Sequence, residues 1–197
     1  MSIKRIFFIL VVLALTAAPA AVHSQYYLGV IKGEAKKIPL TVLDVHDDLA
    51  SPNLRSLVLD VLQADLRRSQ IFDVMDPKKL DLSHSGKDEP PAETIKRGGT
   101  FGLTGIVWAS LSRREGDLIL TGRLYDAASG RRMMGKDYFG NEELLRRTVH
   151  IFADEIVAQY TGEKGIAKTK IAFVSDKTGW KELSVMDYDG LNPQRLT

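Results

Sequence analysis

Residues 170–197, KIAFVSDKTGWKELSVMDYDGLNPQRLT, carry two alternating apolar runs, Ile171 to Val174 and Leu183 to Met186, on either side of the turn cluster Asp176-Lys177-Thr178-Gly179. Alternation of period two around such a cluster is the signature of a β-hairpin. A second turn follows at Asp187-Tyr188-Asp189-Gly190, with Gly190 where a tight reversal needs positive φ, and Leu191 to Thr197 leaves it as the start of another strand. The segment reads as one repeat of a β-propeller cut at its end. A single blade cannot bury its own faces, and repeat architectures become stable when about three or more units stack. The chain is therefore expected to be the front part of a longer protein.

At the opposite end, Lys4 and Arg5 precede the apolar run Ile6 to Ala18, and small residues follow with cleavage points after Ala20 or Ser24. This is the layout of a secretory signal peptide over residues 1–24. The apolar run is short for a hydrocarbon core of about 30 Å, which disfavours an uncleaved anchor. The sequence contains no Cys, so disulfides, thiolate-zinc sites, cysteine nucleophiles and lipoprotein acylation are excluded, although an exported compartment would permit oxidation. Two of the 27 basic residues and none of the 25 acidic ones lie in residues 1–24, so the mature chain is near neutral. Arg67-Arg68, Arg113-Arg114, Arg131-Arg132 and Arg146-Arg147 are spread among acidic neighbours and read as solvated faces, not as a nucleic-acid footprint.

Between these ends, residues 25–165 are expected to form one α/β domain, and residues 166–197 the start of the propeller. Ile38 to Val45 is a β-branched apolar run suited to a strand covered on both faces. Ser51 then caps a helix with Pro52 at its first position; Leu54, Leu57, Val58, Val61, Leu62 and Leu66 form its apolar stripe, ending near Ser69. Ile71 to Met75 is a second strand, so the unit favours a parallel crossover. Leu80 to Pro91 reads as an exposed polar connection, and Ala92 to Arg97 as a short helix stopped by Gly98-Gly99. Phe101 to Leu111, Leu118 to Tyr125 and Met133 to Phe139 form an antiparallel meander. Asn141 caps a final helix with Leu145, Val149, Phe152, Ile156, Val157 and Tyr160 on its apolar side and Gly162 as its stop. The expected fold is thus α/β, a mixed sheet with two main helices, followed by a first, incomplete propeller blade.

Chemistry-bearing clusters are sparse. His46-Asp47-Asp48 holds metal-ligand residue types, but adjacent residues do not converge on one ion, and a cap or loop role fits better. His84 falls in the polar loop, and His150 with Asp154 four residues on reads as a surface helix pair. Asp187-Tyr188-Asp189-Gly190 resembles the opening of a calcium loop whose later ligands are missing, so the hairpin-turn reading is preferred, with Asp176, Gly179, Asp187, Asp189 and Gly190 as structural turn residues. Gly-x-Ser-x-Gly, Walker and His-Glu-x-x-His segments do not occur. The reading assigns no catalytic, cofactor or metal site.

The order of elements, the exit of the last helix through Ala158-Gln159-Tyr160-Thr161-Gly162-Glu163-Lys164-Gly165, the linker Ile166 to Thr169 and the blade from Lys170 to Thr197 together resemble the TolB family of periplasmic translocation proteins. The resemblance spans the chain after the signal and is most specific from Thr161 to Thr197, at Ser175-Asp176, Met186 to Gly190 and Arg195-Leu196-Thr197. It implies an N-terminal α/β domain ahead of a six-bladed propeller. It also implies a noncatalytic, protein-binding component of the periplasmic Tol-Pal envelope system, supporting outer-membrane integrity and constriction at division. Two partners follow from it: the inner-membrane protein TolA on a mobile N-terminal tail, and the lipoprotein Pal on the propeller.

By position that tail is Gln25, Tyr26, Tyr27, Leu28, Gly29, Val30 and Ile31 with Lys32-Gly33. Its alternating aromatic and apolar groups suit strand addition to a sheet edge. Tyr27 to Ile31 read equally as the first strand of the domain's own sheet, and both hold if the tail exchanges between docked and free states. A reading from another class is an exported propeller serine peptidase whose catalytic domain lies beyond residue 197, and a carbohydrate- or ligand-binding propeller is a third. All share the tail repeat; the α/β domain ahead of it favours the first.

Overall fold

The computed structural model describes residues 36–197 apart from 83 and 85. Strand β1 (Ile38–Val42) is followed by the short β2 (His46–Asp47), helix α1 (Pro52–Arg68), β3 (Phe72–Met75), a 3₁₀ turn at Pro77–Leu80 and helix α2 (Ala92–Thr100). Then come β4 (Gly105–Arg114), β5 (Asp117–Asp126), β6 (Arg132–Gly140) and helix α3 (Glu142–Thr161). The chain continues through β7 (Lys170–Ser175), β8 (Glu182–Asp187) and β9 (Gln194–Arg195).

The main sheet has the order β3-β1-β4-β5-β6, with β2 also pairing β4. Strands β3, β1 and β4 run parallel, which the helical connections through α1 and α2 permit, while β4, β5 and β6 form an antiparallel meander. This is a mixed sheet with three helices. Strand β4 shows how both faces are used: Val107, Ala109 and Leu111 point into a core with Val58 and Leu62 of α1 and Val149 and Phe152 of α3. Ile106 and Trp108, one residue out of step, point into a second core with Leu43, Leu82 and Ile95. Period-two alternation on a strand covered on both sides makes a near-continuous apolar run.

Several boundaries depart from expectation. The run from Ile38 to Val45 is interrupted after Val42, and pairing with β4 resumes at His46. Ser51 holds the N-cap position of α1 but its side chain caps nothing; Asp47 instead accepts the amides of Leu49 at 2.9 Å and Ser51 at 2.5 Å. Helix α2 runs through Gly98-Gly99 instead of stopping there, so β4 begins at Gly105 and not at Phe101. Those glycines answer a packing need: a Cβ on Gly98 would sit 2.5 Å from Ile106, and one on Gly99 would sit 2.6 Å from the Ala127 carbonyl. Within the connection expected to be exposed, Leu82 and Pro90 are buried, and Asp81 pairs with Arg97.

The last three strands form a separate antiparallel sheet, β7-β8-β9. Its turns lie where the sequence places them, with Gly179 N–H donating to Asp176 O and Gly190 N–H to Asp187 O, both at 2.8 Å. Val174 is 65% exposed and Trp180 79%, and Leu183, Leu191 and Leu196 are exposed as well. None of residues 170–197 belongs to either apolar core.

Candidate functional site

Helix α1 buries Val58, Val61, Leu62 and Leu66, and Asp65 shares that buried side. Helix α3 does the same with Val149, Phe152 and Ala153, carrying His150 and Asp154 inward with them. The two helices pack together over the sheet, so the polar side chains meet. His150 Nδ1 lies 2.5 Å from Asp65 Oδ2, and Arg68 Nη1 lies 3.3 Å from Asp65 Oδ1.

The turn after β8 completes the cluster. Asp189 Oδ1 accepts the amide of Leu191 at 3.1 Å, while Oδ2 faces His150 Nε2 at 3.2 Å and pairs with Arg146. The low local dielectric around a side chain only 3% exposed strengthens the attraction between Asp189 and Arg146. Each ring nitrogen of His150 faces a carboxylate oxygen, Nδ1 that of Asp65 and Nε2 that of Asp189.

Asp154 forms a second anchor. Its Oδ1 accepts the amide of Ala167 at 2.7 Å and its Oδ2 that of Lys168 at 3.2 Å, clamping the linker onto α3. Gly165 passes so close that an added Cβ would collide with this carboxylate. The expectation of a surface His150–Asp154 pair is thus corrected. Both side chains are buried, they turn to different partners, and the Arg146 half of one presumed solvated doublet is drawn into the cluster.

On the other side of the sheet, Glu89 receives Tyr125 O–H at 2.6 Å, Arg123 Nε at 2.8 Å and Arg132 Nη1 at 3.1 Å. Partial burial pushes the Glu89 carboxyl up, but these donors and the two guanidinium charges outweigh it and hold the group below the usual carboxylate range. Tyr125 moves the opposite way, pushed up by burial and by its bond to Glu89. A groove of about 460 Å³ runs along α1, lined by Val42, Asp44, Pro52, Arg55, Leu59 and Pro77, with Arg55 paired to Asp44.

The tail residues Gln25 to Ile31 and the cleavage points at Ala20 and Ser24 lie outside the described residues. His46 contacts Asp48 Oδ1 at 2.8 Å, and His84 contacts the Asp88 carbonyl at 2.9 Å; neither is brought to the cluster. Asp187 binds Lys170 and Asn192 through its side chain, whereas Asp189 forms ion pairs with α3. Among the described residues, no group of three or more His, Asp or Glu is placed to hold a metal ion. The sequence reading missed Asp65, although an acid in phase with Val58, Val61 and Leu62 was a visible signal; its partnership with Asp189 had none.

The family model described as the TolB amino-terminal domain matches residues 26–133, more than half of the chain. The Tol-Pal system protein TolB of Geobacter sulfurreducens is 35% identical over 195 residues, covering 96% of this chain and 44% of that protein. The protein of the same name from Geobacter metallireducens is 33% identical over 197 residues, with 98% and 45% covered. The chain therefore spans less than half the length of these relatives. Among solved structures, TolB from Acinetobacter baumannii superposes with a TM-score of 0.67 at 16% identity, over 82% of this chain and 38% of that one, a likeness of fold. By the family match and the fold together, the chain belongs to the TolB amino-terminal domain family.

Proposed function

We propose that this chain is the amino-terminal part of a noncatalytic, protein-binding component of the Tol-Pal envelope system, exported to the periplasm, where it supports outer-membrane integrity and constriction at division. The observation that carries the reading is the 35% identity to a Tol-Pal system protein along 96% of the chain, through the α/β segment and into the last sheet. In this reading residues 1–24 are the signal peptide, residues 25–165 the α/β domain and residues 166–197 the opening of the first propeller blade. The exposure of Val174, Leu183 and Leu196 supports the last assignment, because a blade presents such groups to its neighbour. Among the described residues, no helix is long and apolar enough to cross a membrane. The relatives favour this reading over an exported propeller peptidase.

The partners are a TolA-like inner-membrane protein on the tail Gln25 to Ile31 and a Pal-like lipoprotein on propeller blades beyond Thr197. Strand addition gives such a tail affinity through main-chain hydrogen bonds and specificity through alternate side chains. Deleting residues 25–33 from the full-length protein is expected to abolish retention on immobilised periplasmic TolA domain while leaving the melting temperature close to that of the intact protein. Undiminished retention would remove the tail from the binding site, and a large fall in melting temperature would make it a built-in strand.

A further inference from the structure

We propose that Asp189, seated between Arg146 and His150, is an electrostatic latch that fixes the orientation of the β7-β8-β9 sheet on helices α1 and α3, and that the Asp154 clamp on the linker is the pivot left in place when the latch opens. This coupling lies within the chain and holds whichever partners it binds.

No side chain from residues 170–197 enters either apolar core. Among the described residues, Asp189 is the member of the sheet and its turns that forms ion pairs with a helix. The other attachment precedes the sheet: Asp154 holds the amides of Ala167 and Lys168, and Gly165 N–H approaches the Asp154 carbonyl at 3.4 Å. Cavities of about 240 and 350 Å³ flank the latch, one lined by Asp65, Asp154 and Tyr188, the other by Arg146, His150 and Asn192. Open space thus lies on both sides of the charged contact.

These features fit a two-position element. A buried carboxylate is stable here only while Arg146 faces it, so partial withdrawal is unfavourable and the turn is either seated or free in water. When it leaves, the clamp at Asp154 still fixes the chain end, and the sheet swings about the linker instead of dissociating, as a hinge does. Seated, Asp189 is coupled through the His150 ring to Asp65, so a pull on β8 reaches both α3 and α1.

Residues 1–197 hold no Cys, so once any Cys beyond residue 197 is replaced a spin-label pair can be placed without background. In the full-length protein, Asn53→Cys on α1 and Lys181→Cys beside β8, both exposed, report the angle between sheet and helices by pulsed electron–electron resonance. The unmodified cluster should give a single narrow distance peak. Asp189→Asn, which keeps an acceptor for Leu191 N–H, and Arg146→Met, which keeps the apolar stem, should each lose that peak to a broad distribution. The double variant should be no broader than either single one. Hydrogen exchange in α1 and α3 should stay as in the parent. Narrow peaks in both single variants would overturn the latch. So would a loss of helix protection with the distance unchanged, because that would make the cluster a support of the helical layer only.

Discussion

Glu89 is held by three donors from β5 and β6, and its depressed titration has a readable consequence. A carboxyl whose folded value lies below its unfolded one, about 4.3 for Glu, contributes stability above the unfolded value and loses it as pH falls through the folded one. Glu89→Gln should therefore lower the urea midpoint at about pH 7, and the gap to the parent should shrink as pH falls below the ordinary Glu value of about 4.3. A gap unchanged with pH would assign the loss to packing. Glu89 lies in a polar stretch whose composition reads as an exposed connection, and nothing local announces the guanidinium groups that fold against it. Asp65 and His150 were misread differently: the first was overlooked and the second placed on the surface, although both lie on the buried sides of their helices, because the partners that justify their burial are set by distance in space.

At the level of elements, helix and strand periods carried most of the information. Helix α3 starts with Asn141 accepting the Leu144 amide at 3.0 Å and ends at left-handed Gly162, as its cap and stop residues imply. Helix α2 was misread at its end because glycine is ambiguous in sequence: it can stop a helix, or admit a neighbour that a Cβ would exclude. The two sheets differ in cover as well. Strands β4 and β5 are packed between layers, whereas β7 to β9 leave apolar groups in water. Native-state hydrogen exchange of this chain should accordingly be slowest at the paired amides of residues 105–111 and 118–125 and faster throughout residues 170–195. Equal protection in the two sheets would mean that the second has acquired a covering partner, for example by self-association.

For the molecule as a whole, the two tryptophans report on this contrast. Trp108 is 2% exposed beneath α2, and Trp180 projects from the β7–β8 hairpin. A Trp180→Phe variant should emit at shorter wavelength and resist acrylamide quenching, whereas a Trp108→Phe variant should emit like free indole in water and quench readily. Similar quenching in both would contradict the separate environments.

The order of elements, the antiparallel meander, the final helix and the terminal hairpin were determined by the sequence itself, because caps, turns and periods of 2 and 3.6 residues act over short stretches of chain. The same local logic carried the resemblance to the TolB family. The meeting of Asp65, Arg146, His150 and Asp189 was decided only in the tertiary structure, where α1 packs on α3 and the second sheet's turn lands between Arg146 and His150. Such contacts join residues far apart in the chain, and a charge's partner is set by proximity in space, which no local pattern of residues encodes.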